Sequence, residues 1–185
     1  PSTGKIGRAK QSPQNNLPQV AVRILSTFQS RIYVFRAERL NVGECPIGVN
    51  PILASNAQNL AEVLHLLQSS NPARYKRFMK DVRTVFPDIH DISIVPVENN
   101  RVRINVWFVE PITERKDLTV ALADCGTGVG QALAILYVVL NSDHPRIILI
   151  DEPQSFLHPG AIRKLFDILK RYPQHQYIVT THSPT

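Results

Sequence analysis

The sequence has almost no cysteine: Cys45 and Cys125 are the two in 185 residues, eighty positions apart and with no partner at metal-binding or redox spacing. That excludes a disulfide scaffold and a cysteine-based zinc site, and it fits free thiols in a reducing compartment, the cytoplasm. Long apolar runs are also lacking. The longest, Ala132 to Leu140, is nine residues, about half of what a bilayer-spanning helix needs. No charged segment followed by an apolar one opens the chain, so neither a membrane partner nor a secretory leader is expected. Internal repeats and low-complexity tracts are absent. At 43% hydrophobic, 19% charged and 7% aromatic, the composition excludes a disordered or fibrous chain. A chain of this length buries roughly 70% of its unfolded surface without staples, so one globular domain is expected.

Acidic residues are nearly missing from the start of the chain. Residues 1–40 hold Lys5, Arg8, Lys10, Arg23, Arg31, Arg36 and Arg39 against Glu38 alone, and this segment accounts for the whole net charge of +6. The remaining residues carry fourteen basic and fourteen acidic side chains. A basic arm can follow the phosphates of nucleic acid; the plainer reading is a solvated arm.

Residues 1–18 are polar and broken by Pro and Gly, a linker or loop without a core face. Val20 to Ile24 and Arg31 to Phe35 are β-branched or aromatic runs that predict strands. Two helices follow within 56–86. Leu60, Val63, Leu64 and Leu67 recur at i, i+3, i+4, i+7, and Tyr75, Phe78, Met79 and Val82 repeat the spacing, with Asn71-Pro72 as a start signal and Pro87 as a stop. Asp91 to Glu98 and Arg101 to Val109 flank a Glu98-Asn99-Asn100 turn and predict an antiparallel hairpin with one wet face. From Leu118 the pattern alternates strand, helix, strand, helix, strand: 118–122, 129–140, 146–150, 159–171 and 176–181. Such alternation predicts parallel βαβ units.

Parallel strands joined by right-handed crossovers bring their carboxyl ends to one sheet edge, where open α/β folds place ligands. Asp124 to Gln131, Asp151-Glu152-Pro153 and Thr181-His182-Ser183-Pro184 would meet there. Two adjacent acids leaving a dry Ile-Leu strand repel each other unless a cation or a reacting water engages them. Nucleotide hydrolysis supplies both: Asp151 would hold Mg2+, and Glu152 would polarise the attacking water. The plainer reading makes Asp151 a turn cap and Glu152 a solvated carboxylate. Gly126-Thr127-Gly128-Val129-Gly130 opens a helix whose free N–H groups and dipole favour phosphate. A Rossmann-type dinucleotide site has the same order of elements, but Gln131 stands where its third glycine belongs. His182, facing the carboxylate pair, could contact a terminal phosphate. His65, His90, His144 and His175 have no comparable setting.

Taken together, these residues resemble a known family. Ile147 to Pro153 resembles the Walker B motif of ABC-type ATPases. Leu157-His158-Pro159 looks like the D-loop region of their RecF/SMC-like and OLD-like members, and Thr181 to Pro184 looks like their switch histidine. Gly126-Thr127-Gly128-Val129-Gly130-Gln131 resembles the ABC signature, and the helices at 56–86 look like the helical insertion before it. The resemblance implies a P-loop NTPase-like α/β head over residues 19–185, with helices on both faces of a parallel sheet, an antiparallel hairpin and the helical insertion, and with 146–185 running from Walker B to the switch histidine.

It further implies ATP and Mg2+ as cofactors, with Asp151 on the metal, and Glu152 and His182 as catalytic residues. Gly126, Thr127, Gly128 and Gln131 would contact nucleotide across a dimer with a second copy or a related head. DNA is the implied partner, in repair or phage defence, often with a nuclease partner or fused domain. Gly126 stands where the signature serine is usual, so Thr127 would supply any hydroxyl. No Gly-x-x-x-x-Gly-Lys-Ser/Thr phosphate loop occurs in the sequence, so the chain is expected to be the later part of a longer, otherwise incomplete head. The alternative is a non-catalytic, nucleotide-dependent clamp on DNA or a protein.

Overall fold

The computed structural model describes residues 19–29, 31–36 and 42–182; the expected linker 1–18 and Ser183-Pro184 lie outside the described residues. The chain divides into two compact units, Pro1–Ser30 and Arg31–Thr185. In the first, Gln19–Gln29 is helix α1, which corrects the strand expected at Val20 to Ile24. Ala21, Ile24, Leu25 and Phe28 recur at i, i+3, i+4, i+7, and this helical period overrides the β-propensity of the valines and isoleucine. The hydroxyls of Ser26 and Thr27 donate back to the Arg23 carbonyl at 3.0 and 2.7 Å.

The second unit runs β1 (Ile32–Phe35), β2 (Cys45–Pro46), α2 (Leu60–Ser70), α3 (Pro72–Val85), β3 (Asp91–Val97), β4 (Arg101–Trp107), β5 (Thr119–Ala121), α4 (Thr127–Asn141), β6 (Ile147–Asp151), α5 (Pro159–Leu169) and β7 (Gln176–Thr180). Strands β1, β6 and β7 form a parallel sheet in that order, while β2, β4 and β3 form an antiparallel sheet that β5 joins on β4.

The paired helices follow their sequence signals. Every predicted apolar position of α2 and α3 is buried, Pro72 opens α3, and the Asn71 side chain accepts from Arg74 N at 3.0 Å. The hairpin turns through Asn99 and Asn100, both at positive φ, a conformation that Asn tolerates and that matches strand twist. Val102, Ile104 and Val106 point into the core. One apolar cluster joins this sheet to α2, α3, α4, α5 and the inner row Tyr33, Phe35, Ile148 and Ile150 of the parallel sheet. The register row Val34, Leu149, Ile178 lies on the other face, with Val34 38% and Ile178 50% exposed.

One strand differs from expectation in its partner. The segment predicted as the first parallel strand, 118–122, yields β5, which pairs antiparallel with β4 through Asn105↔Ala121 and Trp107↔Thr119. The third parallel strand is instead β1, aligned with β6 from Ile32↔Ile147 to Phe35↔Ile150. Consecutive strands tend to lie side by side, and β5 follows the hairpin closely enough to extend it.

Candidate active site

Strand β6 delivers Asp151 and Glu152, and β7 delivers Thr180, Thr181 and His182, to the same carboxyl edge, with Asp151 registered against Thr180. The Thr180 hydroxyl donates to Asp151 Oδ1. Glu152 N donates to the Thr180 carbonyl at 3.1 Å, so the main chains remain tied one residue past β6. Glu152 then turns sharply, with φ 49° and ψ 57°, a left-handed conformation that a non-glycine residue adopts only where its surroundings enforce it. The turn carries its carboxylate back over the strand ends. There Oε1 lies 3.5 Å from His182 Nε2, with the Glu152 side chain 17% and the His182 ring 97% exposed; Oε2 accepts from the Gln154 amide.

This geometry bears on the plainer reading of the two acids. Asp151 is engaged by Thr180, and Glu152, the residue at the cap position of the turn Pro153–Ser155, makes no side-chain cap bond. Neither carboxylate caps the turn. One is oriented by a hydroxyl, the other by an amide and an imidazole. Thr180 and Gln154 hold the two carboxylates, and the sequence reading does not single them out. The only signals for them were a polar residue closing an apolar strand and an amide two positions after the acid pair.

The glycine loop approaches this cluster from a different element: Gln131 donates to the carbonyl of Arg36, one residue past the Phe35↔Ile150 pair, and Gln154, which holds Glu152, lines the same cavity as Gly126 to Val129. Because β5 belongs to the antiparallel sheet, Asp124 to Gln131 does not follow a parallel strand as expected, and the loop comes to the parallel sheet from the antiparallel one. Gly126, with φ +81°, turns the chain into α4, and no side chain caps that helix start. Gly126, Thr127, Gly128 and Val129 line an open cavity of about 810 Å³ together with 85–88, 154–161 and Lys164. Gly128 is buried against the following turn, where an added Cβ would stand 1.9 Å from the Phe156 carbonyl oxygen. Gln154 belongs both to the lining of the cavity and to the carboxylate cluster.

Gln131 is fully buried and donates from Nε2 to the Arg36 carbonyl at 2.7 Å. This bond ties α4 to the exit of β1. Cys125, beside the loop, has its thiol pushed up to about 11 by burial and then by the Asp124 carboxylate, so it is not a thiolate nucleophile at neutral pH.

Among the described residues no group of three or more His, Cys, Asp or Glu side chains is placed to hold a metal ion. Asp151 with the Thr180 hydroxyl is a sparse, hard-oxygen set. Such a set fits Mg2+, which keeps most of its waters and takes one or two carboxylates, and it does not fit zinc. No described helix is long and apolar enough to cross a membrane.

A parallel sheet flanked by helices, with an acid pair leaving one strand and a histidine leaving the next, defines an AAA or P-loop ATPase-type domain. Residues 48–185 match the family described as "AAA domain, putative AbiEii toxin, Type IV TA system", and the chain belongs to that family. No curated protein matches it.

Proposed function

We propose that this chain forms part of an ATP-hydrolysing head of the ABC type, close to the RecF/SMC-like and OLD-like group, that works as a nucleotide-dependent dimer in DNA transactions. The observation that carries the reading is the cluster at the ends of β6 and β7: Asp151 held by Thr180, and Glu152 with His182 at 3.5 Å. Glu152 Oε1 is the atom that accepts the proton of an attacking water, because its other oxygen is engaged by Gln154 and the αL turn fixes its direction. His182, exposed and beside that carboxylate, orients the water and donates to a phosphate oxygen. Asp151 is the residue that would hold Mg2+, whose charge would neutralise phosphate oxygens. The free N–H groups at the start of α4 suit an anion approaching the Gly126 side of the cavity, as a partner head's nucleotide would.

Glu152→Gln in the full-length protein is expected to leave ATP binding intact and to reduce turnover by about a hundredfold or more, the scale of a lost general base. Equilibrium nucleotide binding and phosphate release measure the two separately. Unchanged hydrolysis would remove Glu152 from the chemistry; nucleotide binding without turnover in the wild type would favour the clamp, in which nucleotide closes the dimer and is not hydrolysed.

A further inference from the structure

Lysine and arginine are not evenly distributed over the second unit. Helix α3 carries Arg74, Lys76, Arg77, Lys80 and Arg83 and a single acid, Asp81. Asp81 is buried and paired with Arg171 just past α5, so the exposed face of α3 presents no anion. Arg74 and Arg83 reach Asp143 and Asp91 at 3.7 and 3.8 Å. Lys76, Arg77 and Lys80 are exposed and ion-pair with no described residue. The positive surface continues across the α3–α5 seam. There Arg171 keeps half of its side chain exposed while bridging to Asp81, and Lys164 stands beside the end of α3.

This arrangement works against the helix that carries it. No acid sits in the first turn of α3 to match its dipole. Lys76–Lys80, Arg77–Lys80 and Lys80–Arg83 are like-charge pairs at i, i+4 and i, i+3, which repel. An external polyanion relieves both costs. None of the large exposed apolar side chains lies on α3 or α5, whereas protein interfaces and membrane-bound helices use apolar or aromatic anchors. Phosphate backbones require only cations at suitable spacing. Lys76 and Lys80 are separated by about 6 Å of helix rise, close to two nucleotide steps of about 3.4 Å each.

We propose that the α3–α5 face binds the phosphate backbone of nucleic acid without sequence preference, with Lys76, Arg77 and Lys80 as the main phosphate contacts and Arg171 and Lys164 flanking them. The surface lies on the electrically neutral part of the sequence, not on the basic N-terminal segment. The inference rests on the nucleic-acid part of the proposed function and not on its nucleotide chemistry, so it is tested without nucleotide.

The measurement is fluorescence anisotropy of the full chain with a labelled duplex of about 20 base pairs, between about 50 and 200 mM salt. The triple variant Lys76→Gln, Arg77→Gln, Lys80→Gln is expected to flatten the slope of log K against log salt by about 2.7, roughly 0.9 per lost contact. Its affinity at the lower salt should fall at least about tenfold. The charge-conserving triple Lys76→Arg, Arg77→Lys, Lys80→Arg is expected to keep the wild-type slope. Arg23→Gln, Arg31→Gln, Arg36→Gln is expected to change it less than the α3 triple does. ATP turnover by the full-length protein should be unchanged in the α3 triple, which separates failure here from failure of the ATPase reading. A wild-type slope in the α3 triple overturns the proposal. So does tighter binding of polyglutamate than of duplex, lost in the same variant, which would assign the face to an acidic protein.

Discussion

At the scale of single residues, the sharpest constraint falls on Gly128. Its missing Cβ would meet a main-chain oxygen at 1.9 Å, whereas a Cβ on Gly130 would meet the Val42 Cγ2 methyl at 2.8 Å. A carbonyl fixed in a turn cannot move aside, but a methyl can. Gly128→Ala is therefore expected to cost about 3 kcal/mol, the upper end for overpacking, and Gly130→Ala about 1 kcal/mol; urea midpoints of the two variants test the order. His175 makes a different prediction. It is buried, with Nδ1 accepting from Arg146 N at 3.1 Å and Nε2 donating to the Val139 carbonyl at 3.1 Å. Burial, then the Arg146 charge, pull its pKa down, although the Val139 bond opposes the shift. The folded state favours the neutral ring, so His175 contributes stability that is present above the unfolded pKa of about 6.5 and is lost as pH falls toward the folded value. Denaturation midpoints from pH 7 to pH 5 should decline more steeply in the wild type than in His175→Gln. Asp151, Glu152 and His182 were legible in the sequence because strand exits mark such residues. Thr180 and Gln154 were not, since orienting an acid leaves no pattern of its own. A buried histidine reads the same as an exposed one until the chain around it is folded.

At the scale of elements, legibility followed the strength of periodicity. Helices α2 and α3, the hairpin, α4, β6, α5 and β7 all stand near their predicted places, because each has an apolar stripe or an alternation that only one structure can bury. Helix α1 escapes the sequence reading because its branched residues suit a strand in isolation and its stripe, Ala21 to Phe28, emerges only over eight positions. Strand β5 was placed in the wrong sheet because three residues identify a strand but not its neighbour. The parallel sheet also predicts its own dynamics. Gln176 N donates to the Arg146 carbonyl and Glu152 N to the Thr180 carbonyl, so alternate residues of β7 face β6, and Tyr177 and Val179 direct their amides to the outer edge. No described strand pairs with that edge. Hydrogen exchange is expected to be faster at Tyr177 and Val179 than at Ile178; equal protection at all three would show that the edge is covered.

At the scale of the whole molecule, a neutral average conceals separated charges. The last 145 residues balance their signs in the sequence, yet the fold collects cations on α3 and at the α5 end, and sets Asp151 and Glu152 at the carboxyl end of β6. Sequence arithmetic assigned the excess charge to the N-terminal segment because it counts along the chain, and helix faces appear only when the chain is wound. One wall of the glycine-lined cavity has a different character. It is built where Gly128 meets the carbonyl of Phe156, main chain against main chain. The Ser155 side chain can therefore change without altering how α4 sits on that turn, whereas a single methyl group at position 128 would push helix and turn apart.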